Sequence, residues 1–271
     1  MLSLSIVQGR LSAEVAGKYQ HFPINNWRNE FFDAKRLGFI GIEWIISDFS
    51  NPIFDKDAAN DIIQLVKRSG VKITSISLDL LMTKTIDQFD FYEIEWMLEL
   101  IDKISKSVGL KRISFPIEET SGIRSPKTME AVVKTLKKIS KISSNKNYRL
   151  SIETDLSALS IHRILNLHGL NDFGIVLDIG NSAANGFKLI DYFNLIPKKI
   201  FGIHIKDRQC GCGPTMKLGT GSAEFNTLKE NFDKLVNLED ITLQAFRSKD
   251  NFIEDAITSK SFVDNVLNNE K

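Results

Sequence analysis

Four polar side chains that could bind a metal ion stand at the ends of successive apolar segments: Glu153, Asp178, His204 and Gln244. They offer three oxygen donors and one imidazole nitrogen, a set that suits Mn²⁺, Mg²⁺, Co²⁺ or Zn²⁺. Glu153 and Asp178 carry two negative charges, which one divalent cation would neutralise. The sequence therefore predicts one divalent metal site. The alternative is that each residue is hydrogen-bonded separately in the rim of the fold.

The earlier apolar segments are also followed by residues that could contact a substrate. They are Arg10, Glu43, Asp79 and Glu118. The histidines outside the predicted metal site are weaker candidates. His21 lies in the first loop, where it could touch a substrate or brace the loop, and both readings stay open. His162 and His168 fall in a helical pattern and are predicted to lie on its surface.

The elements that must position these residues follow one repeating pattern, a short apolar segment and then an amphipathic stretch. Most apolar segments are continuous, as is typical of parallel strands buried on both faces. The predicted strands are Leu2–Val7, Phe39–Trp44, Val71–Leu78, Arg112–Phe115, Arg149–Ile152, Gly174–Leu177, Ile200–Ile203 and Ile241–Leu243. Helices are predicted over Trp27–Leu37, Ala58–Ser69 and Phe91–Val108, each ending before a glycine, and from Ser125-Pro126, a cap and first-turn pair.

Eight strands that alternate with about eight helices predict an α/β fold, a single-domain (β/α)8 TIM barrel over residues 1–271. A doubly wound open sheet is the alternative. It would usually carry a glycine fingerprint after the first strand, where this chain reads Gln8-Gly9-Arg10. In a barrel, the carboxyl ends of the strands meet at one mouth, so the polar residues described above would come together there.

Composition narrows the classes of function. The 271 residues carry a net charge of +1, so the chain offers no strong attraction for nucleic acid or a membrane surface. Its apolar segments are too short to span a bilayer. The two cysteines, Cys210 and Cys212, are too close to form an easy disulfide, which indicates a reducing compartment. We expect a cytoplasmic protein with a small-molecule substrate, and a homo-oligomer is possible.

Six short strings, in order along the chain, resemble sugar-phosphate isomerases and epimerases of the xylose-isomerase-like TIM-barrel superfamily. They are Gln8-Gly9-Arg10-Leu11-Ser12, Ile152-Glu153-Thr154-Asp155-Leu156, Leu177-Asp178-Ile179-Gly180-Asn181, His204-Ile205-Lys206-Asp207-Arg208, Leu218-Gly219-Thr220-Gly221 and Thr242-Leu243-Gln244-Ala245-Phe246-Arg247.

This resemblance implies metal ligands at the ends of strands five to eight, usually Glu, Asp, His and Glu. Here they would be Glu153, Asp178 and His204, and Gln244 replaces the usual second glutamate. A second departure is Asn181, where related epimerases often have histidine. We expect Asn181 to contact the substrate.

These residues suit proton transfer next to a carbonyl, through an enediolate that a divalent metal stabilises. Glu153 is the leading base. An epimerase needs a second base opposite, and since an amide such as Gln244 is not a base, the candidates are Glu118, Asp207 and Asp79. Aldose–ketose isomerisation needs one base and is ranked slightly ahead. The alternatives are a related dehydratase, or a sugar-binding barrel without catalysis.

A polar, sugar-like substrate is expected, and the sequence leaves open whether it carries a phosphate. The groups that could bind one are Arg10, Lys206, Arg208, Arg247 and the backbone of Gly219 and Gly221. The last two lie in a glycine-rich loop after strand seven that is long enough to act as a lid. An endonuclease of the same superfamily is disfavoured, because only four histidines are available for its metal cluster.

Overall fold

The computed structural model describes residues 3–267. Within them, eight parallel strands close into a barrel in chain order, with the last strand beside the first. The strands are β1 (Leu4–Val7), β2 (Gly41–Ile45), β3 (Lys72–Ser77), β4 (Arg112–Ile117), β5 (Arg149–Thr154), β6 (Phe173–Asp178), β7 (Ile200–Ile205) and β8 (Asp240–Leu243). The predicted (β/α)8 TIM barrel is confirmed. Leu2, the predicted start of β1, lies outside the described residues, so the domain over residues 1–271 stays a prediction.

Helices follow the strands on the outside of the barrel. They are α1 (Trp27–Arg36), α2 (Lys56–Ser69), α3 (Phe91–Val108), α4 (Pro126–Ser143), α5 (Ala158–Leu167), α6 (Ile179–Ala184), α7 (Leu189–Leu195), α8 (Phe225–Glu230) and α9 (Phe252–Leu267). Short 3-10 turns cover Pro52–Phe54, Asp79–Thr83, Ile86–Gln88, Glu119–Ser121, Pro197–Lys199 and Phe232–Lys234. A small antiparallel hairpin pairs Asp207–Arg208 with Thr215–Met216. Between residues 3 and 267, no helix combines the length and apolar character needed to cross a bilayer.

The ends of the helices follow from their capping residues. Gly70 and Gly109 end α2 and α3 in the left-handed conformation, at φ of 75° and 76°, which glycine adopts without a steric penalty. Ser125 caps α4 by accepting a hydrogen bond from the Thr128 amide. Helix α2 begins at Lys56, two residues before the predicted start at Ala58. Asp55 is its N-cap, because the Asp55 side chain accepts a hydrogen bond from the backbone N–H of Ala58.

A buried ionic network fills part of the barrel interior. Arg112 of β4 is fully buried, and its guanidinium donates to Glu43 of β2 at 2.9 Å and to both carboxylate oxygens of Asp240 of β8 at 2.8 and 2.9 Å. Gly202 of β7 makes room for it, since a Cβ there would lie 2.7 Å from Arg112 Nε. Glu43 therefore has a cation beneath it, on the side away from the barrel mouth.

Candidate active site

A polar pocket of about 450 Å³ opens at the carboxyl ends of the strands, a volume within the range of small-molecule sites. Many of the predicted residues line it together: Arg10, Asp79, Glu118, Glu153, Asn181, Lys206 and Gln244. His21, whose role the sequence left open, also lines this pocket. The barrel thus gathers polar residues from most of its strands into one cavity.

Three of the four predicted metal-binding side chains lie together: Glu153 lines the pocket, and Asp178 and His204 are buried beside it. One ligand atom each from Glu153, Asp178 and His204 lies within 4.8 Å of the others, and all three side chains are buried. Asp178 is the N-cap of α6, and its Oδ1 accepts a hydrogen bond from the backbone N–H of Asn181 at 2.7 Å. Its Oδ2 finds no hydrogen-bond donor within the described part of the chain, with Lys206 Nζ 3.4 Å away. A buried carboxylate oxygen without a donor is costly, and a bound cation would satisfy it.

The imidazole of His204 lies between two carboxylates. Nδ1 is 3.1 Å from Glu153 Oε1, and Nε2 is 2.9 Å from Glu43 Oε1, although the second N–H is not aligned for a good hydrogen bond. Burial favours the neutral ring, but the two carboxylates outweigh it and raise the pKa of His204 well above its usual value. Burial likewise opposes ionisation of Glu43, yet His204 and Arg112 lower the pKa of Glu43 to about 2.

This arrangement fits a divalent metal ion. His204 would offer Nδ1 to the ion beside Glu153 and Asp178, while the Glu43 carboxylate lies 2.9 Å from the other ring nitrogen, where a metal-binding histidine commonly has a carboxylate partner. Binding would displace the proton that His204 carries between the two carboxylates. Glu43, predicted to contact the substrate, therefore lies beneath the site and outside the pocket lining, where it supports His204.

Gln244, the fourth predicted ligand, is buried at the end of β8 and lines the same pocket. Its Nε2 donates to Gln20 Oε1 at 3.1 Å. Its Oε1 is buried and, within residues 3–267, has no hydrogen-bond donor. The amide therefore keeps one free oxygen at the pocket.

Glu118 and Asn181 both line the pocket and are joined by a hydrogen bond. Asn181 Nδ2 donates to Glu118 Oε2 at 3.1 Å, and Asn181 Oδ1 accepts from Arg208 Nη1 at 2.8 Å. Burial raises the pKa of Glu118 well above its usual value, and the nearby carboxylates of Glu153 and Asp178 raise it further. A carboxyl group with these surroundings is suited to hold a proton.

Asp207, predicted as a catalytic base, has another role in this structure. Its two oxygens accept the backbone N–H groups of Gly219, Gly221 and Ala223, each at 2.9 Å. The carboxylate is buried, outside the pocket lining, and it fixes the loop after β7. The same contacts use the glycine N–H groups that were expected to bind an anion.

Of the three arginines predicted to bind substrate, Arg10 lines the pocket, whereas Arg208 and Arg247 lie outside its lining. Arg247 is buried and donates to the backbone oxygens of Gly9, Ser12 and Tyr19, which ties β8 to the first loop. Arg208 donates to Asn181, as described, and to the backbone of its own loop. Both are engaged in holding loops together.

Other pocket residues were not identified from the sequence, and they are Lys18, Tyr19, Gln20, Ser47, Met82, Thr83, Pro116, Glu119 and Thr215. Most lie in loops beyond the strand ends, where neither periodicity nor spacing marks a residue. Pro116 lies in β4, one residue before its end at Ile117, and beyond the predicted strand end at Phe115. Gln20 could have been found through its neighbour His21, which the sequence indicated as a possible substrate contact in the first loop.

A family model described as xylose isomerase-like TIM barrel matches residues 31–249. Among curated proteins, none matches the chain significantly. One similar solved structure is the IolI protein with a bound zinc atom, at a TM-score of 0.74 and 15% identity, covering 98% of both chains. A D-psicose 3-epimerase with D-tagatose from Clostridium cellulolyticum H10 has a TM-score of 0.73 at 12% identity, covering 98% of this chain and 99% of that one. The probable 3-DHS dehydratase AsbF from Bacillus anthracis has a TM-score of 0.71 at 15% identity, covering 100% of both chains.

Proposed function

Since this chain belongs to the xylose isomerase-like TIM barrel family, we propose that it is a divalent-metal-dependent isomerase or epimerase of a sugar without a phosphate group. The observation that carries the proposal is the buried cluster of Glu153, Asp178 and His204, of which Glu153 lines a polar pocket of sugar-like size. The similar structures support it in part, because one holds zinc and another is a ketose epimerase. The cytoplasmic location and a homo-oligomeric state remain predictions from the sequence.

The residues divide the chemistry between them. The bound ion, held by Glu153, Asp178, His204 and Gln244, would stabilise negative charge on the oxygens of an enediolate. Glu153 would accept the proton from the carbon next to the carbonyl, since a carboxylate at the pocket wall is positioned to act as a base. With His204 neutral, the two negative charges of Glu153 and Asp178 would balance the charge of the divalent ion.

Glu118 is the proposed second acid–base group. It lines the pocket with Glu153, and Asn181 holds it by a hydrogen bond to Oε2. Asp207 is engaged by three backbone N–H groups, and Asp79 accepts from Gln20 and Ser77. Because a second carboxyl group is present at the pocket, both isomerisation and epimerisation are supported by the residues, and neutral Gln244 no longer argues against epimerisation.

The proposed substrate lacks a phosphate because the groups expected to bind one are already engaged. The backbone of the Gly219–Gly221 turn donates to an aspartate, Arg208 donates to Asn181 of α6 and to its own loop, and Arg247 donates to the first loop. Arg10 lines the pocket but donates to the Tyr19 carbonyl and to a glutamine. Lys206 lies 3.4 Å from Asp178, beside the ligand cluster. A phosphate dianion would have to compete with these contacts.

The proposal is tested by solvent deuterium exchange. The Mn²⁺-loaded protein is incubated with a panel of free ketoses and ketose phosphates in D₂O, and exchange at the carbon next to the carbonyl is followed by NMR. Exchange reports the enediolate whichever product forms. We expect exchange with at least one free ketose, preferred over its phosphate, and its loss in Glu153→Gln.

The alternatives give different outcomes in the same experiment. Loss of water from the substrate would indicate the dehydratase reaction. Ligand binding without exchange across the panel, with metal bound, would indicate a sugar-binding barrel without catalysis. Preference for a ketose phosphate would contradict the proposed substrate class while leaving the chemistry in place.

A further inference from the structure

Gln244 differs from a carboxylate in one respect that matters to a metal site. Only one end of its side chain can bind a cation, because the amide NH₂ has two donors and no free lone pair. A Gln ligand therefore works only if its carbonyl oxygen, and not its nitrogen, is turned toward the ion. The hydrogen bonds around Gln244 must therefore determine which end of its amide faces the ion.

Gln20 determines the orientation of the Gln244 amide through the hydrogen bond between the two side chains. Gln20 Oε1 lies 3.1 Å from Gln244 Nε2, and only the NH₂ group of Gln244 can donate to an oxygen. This pairing leaves Gln244 Oε1 on the other arm of the amide. That oxygen is buried and has no donor among the residues described.

The orientation of Gln20 is fixed in turn by two residues whose roles are unambiguous. Arg10 can only donate, and its Nη2 lies 3.1 Å from Gln20 Oε1. Asp79 accepts from Gln20 Nε2 at 2.8 Å and from the Ser77 hydroxyl at 2.6 Å. A flip of the Gln20 amide would set its NH₂ against Arg10 and its oxygen against Asp79, so the network excludes it.

We propose that Gln20 is a positioning residue that turns the carbonyl oxygen of Gln244 toward the metal site, making it the fourth ligand beside Glu153, Asp178 and His204. This inference rests on the proposed metal dependence. It assigns to the first loop a role that a glutamate at position 244 would not need, since a carboxylate has an oxygen at each end.

The test is a comparison of Mn²⁺ affinity by isothermal titration calorimetry at about pH 8. Burial raises the pKa of Asp79 to about 6, so Asp79 is an acceptor at that pH. Gln20→Met keeps the length of the side chain and removes its hydrogen bonds. We expect it to weaken Mn²⁺ binding about 10-fold, the lower end of the effect known for residues that orient a metal ligand. Gln64→Met, at an exposed position of α2, is the matched control and should leave affinity unchanged.

The decisive arm repeats the substitution in a Gln244→Glu background. There, Gln20→Met should change Mn²⁺ affinity by less than about two-fold, because no amide remains to be oriented. An equal loss in both backgrounds would mean that Gln20 only supports the loop, and no loss in either would mean that it does not act on the site. Either result overturns the inference.

A second variant and the Mn²⁺ affinity of the parent separate a failure of this inference from a failure of folding or of the proposed function. If Gln20→Met melts well below the parent, Asp79→Asn replaces it. It weakens one of the two contacts that orient the Gln20 amide, the other being with Arg10, and should weaken Mn²⁺ binding by less than Gln20→Met does. If the parent protein itself binds no Mn²⁺, the proposed function fails together with this inference. If the parent binds Mn²⁺ and Gln20→Met binds equally well, the inference alone fails.

Discussion

Glu43 Oε1 lies 2.9 Å from Nε2 of His204, at the ring nitrogen opposite the one that contacts Glu153. Glu43 is buried beneath the pocket and is held from below by Arg112 at 2.9 Å. The two carboxylates favour the ring orientation that turns Nδ1 toward the ligand cluster. A carboxylate in this position also makes the histidine a stronger ligand.

The first prediction concerns this supporting carboxylate. Glu43→Gln should weaken Mn²⁺ binding by about 10- to 100-fold, because the neutral amide no longer orients and polarises His204. Isothermal titration calorimetry measures the change. Glu239→Gln is the matched control, since Glu239 pairs with Arg149 at a partly exposed position. Equal affinities in Glu43→Gln and the parent would contradict the assigned role.

The second prediction concerns the ionic network in the barrel interior. Arg112→Met should lower the free energy of unfolding by about 3–5 kcal/mol, because it leaves Glu43 and Asp240 as buried carboxylates without their cation. Arg149→Met, which removes a partly exposed ion pair with Glu239, should cost about 1 kcal/mol or less. Urea denaturation of the two variants gives the comparison. Similar small losses would show that Arg112 is not needed to balance the interior charges.

The third prediction is a pH dependence of stability that comes from Glu30 on α1. Burial raises the pKa of Glu30 from 4.5 to about 7, although Gly9, Leu11 and Ser12 donate hydrogen bonds to its carboxylate. A pKa that is higher in the folded state stabilises the fold fully below pH 4.5, and this contribution is lost as the pH rises through about 7.

The loss should be on the order of 1–3 kcal/mol between about pH 5 and pH 8. Unfolding by urea at several pH values measures it, and Glu30→Gln is the comparison because its side chain does not titrate. The difference between parent and variant isolates the group from all others that titrate. If the two proteins show the same slope against pH, Glu30 is ionised at both ends of the range and the predicted dependence is absent.

The fourth prediction separates the two proposed acid–base groups. Glu118→Gln should lower turnover by about 10²-fold or more if the reaction is an epimerisation, since one face of the enediolate then lacks its proton donor. Exchange of the substrate proton with D₂O should persist, because Glu153 still removes the proton from the other face. NMR follows both quantities in one sample. Loss of exchange together with turnover would instead identify Glu118 as the first base.

The fold was largely predictable because parallel barrel strands are buried on both faces and appear as continuous apolar segments. Arg149–Ile152 and Ile200–Ile203 were predicted correctly at their amino ends, and each strand extends two residues further. Those extra residues include polar or loop-adjacent positions such as Glu153, where apolar character no longer marks the strand. The helix ends followed from capping residues, and α3 was predicted to the residue.

The site was predictable only where its residues belong to the strand ends. Glu153, Asp178 and His204 come together because three adjacent parallel strands end at the same rim. Arg112 was missed because its partner Asp240 is 128 residues away in sequence, and an arginine at the start of a strand resembles a surface residue. The hydrogen bonds that Asp207 accepts from loop N–H groups leave no mark in the sequence, so the prediction of Asp207 as a candidate base could not take them into account.

The central claim is that Glu153, Asp178 and His204 hold one divalent cation at the barrel mouth. Calorimetric titration of the metal-free protein with Mn²⁺ tests it most directly, with Asp178→Asn as the variant and Asp61→Asn, at an exposed ion pair with Arg28, as the control. We expect one Mn²⁺ per chain in the parent and the control, and at least about a 100-fold weaker affinity in Asp178→Asn. Absence of binding in the parent, or equal binding in Asp178→Asn, would contradict the claim.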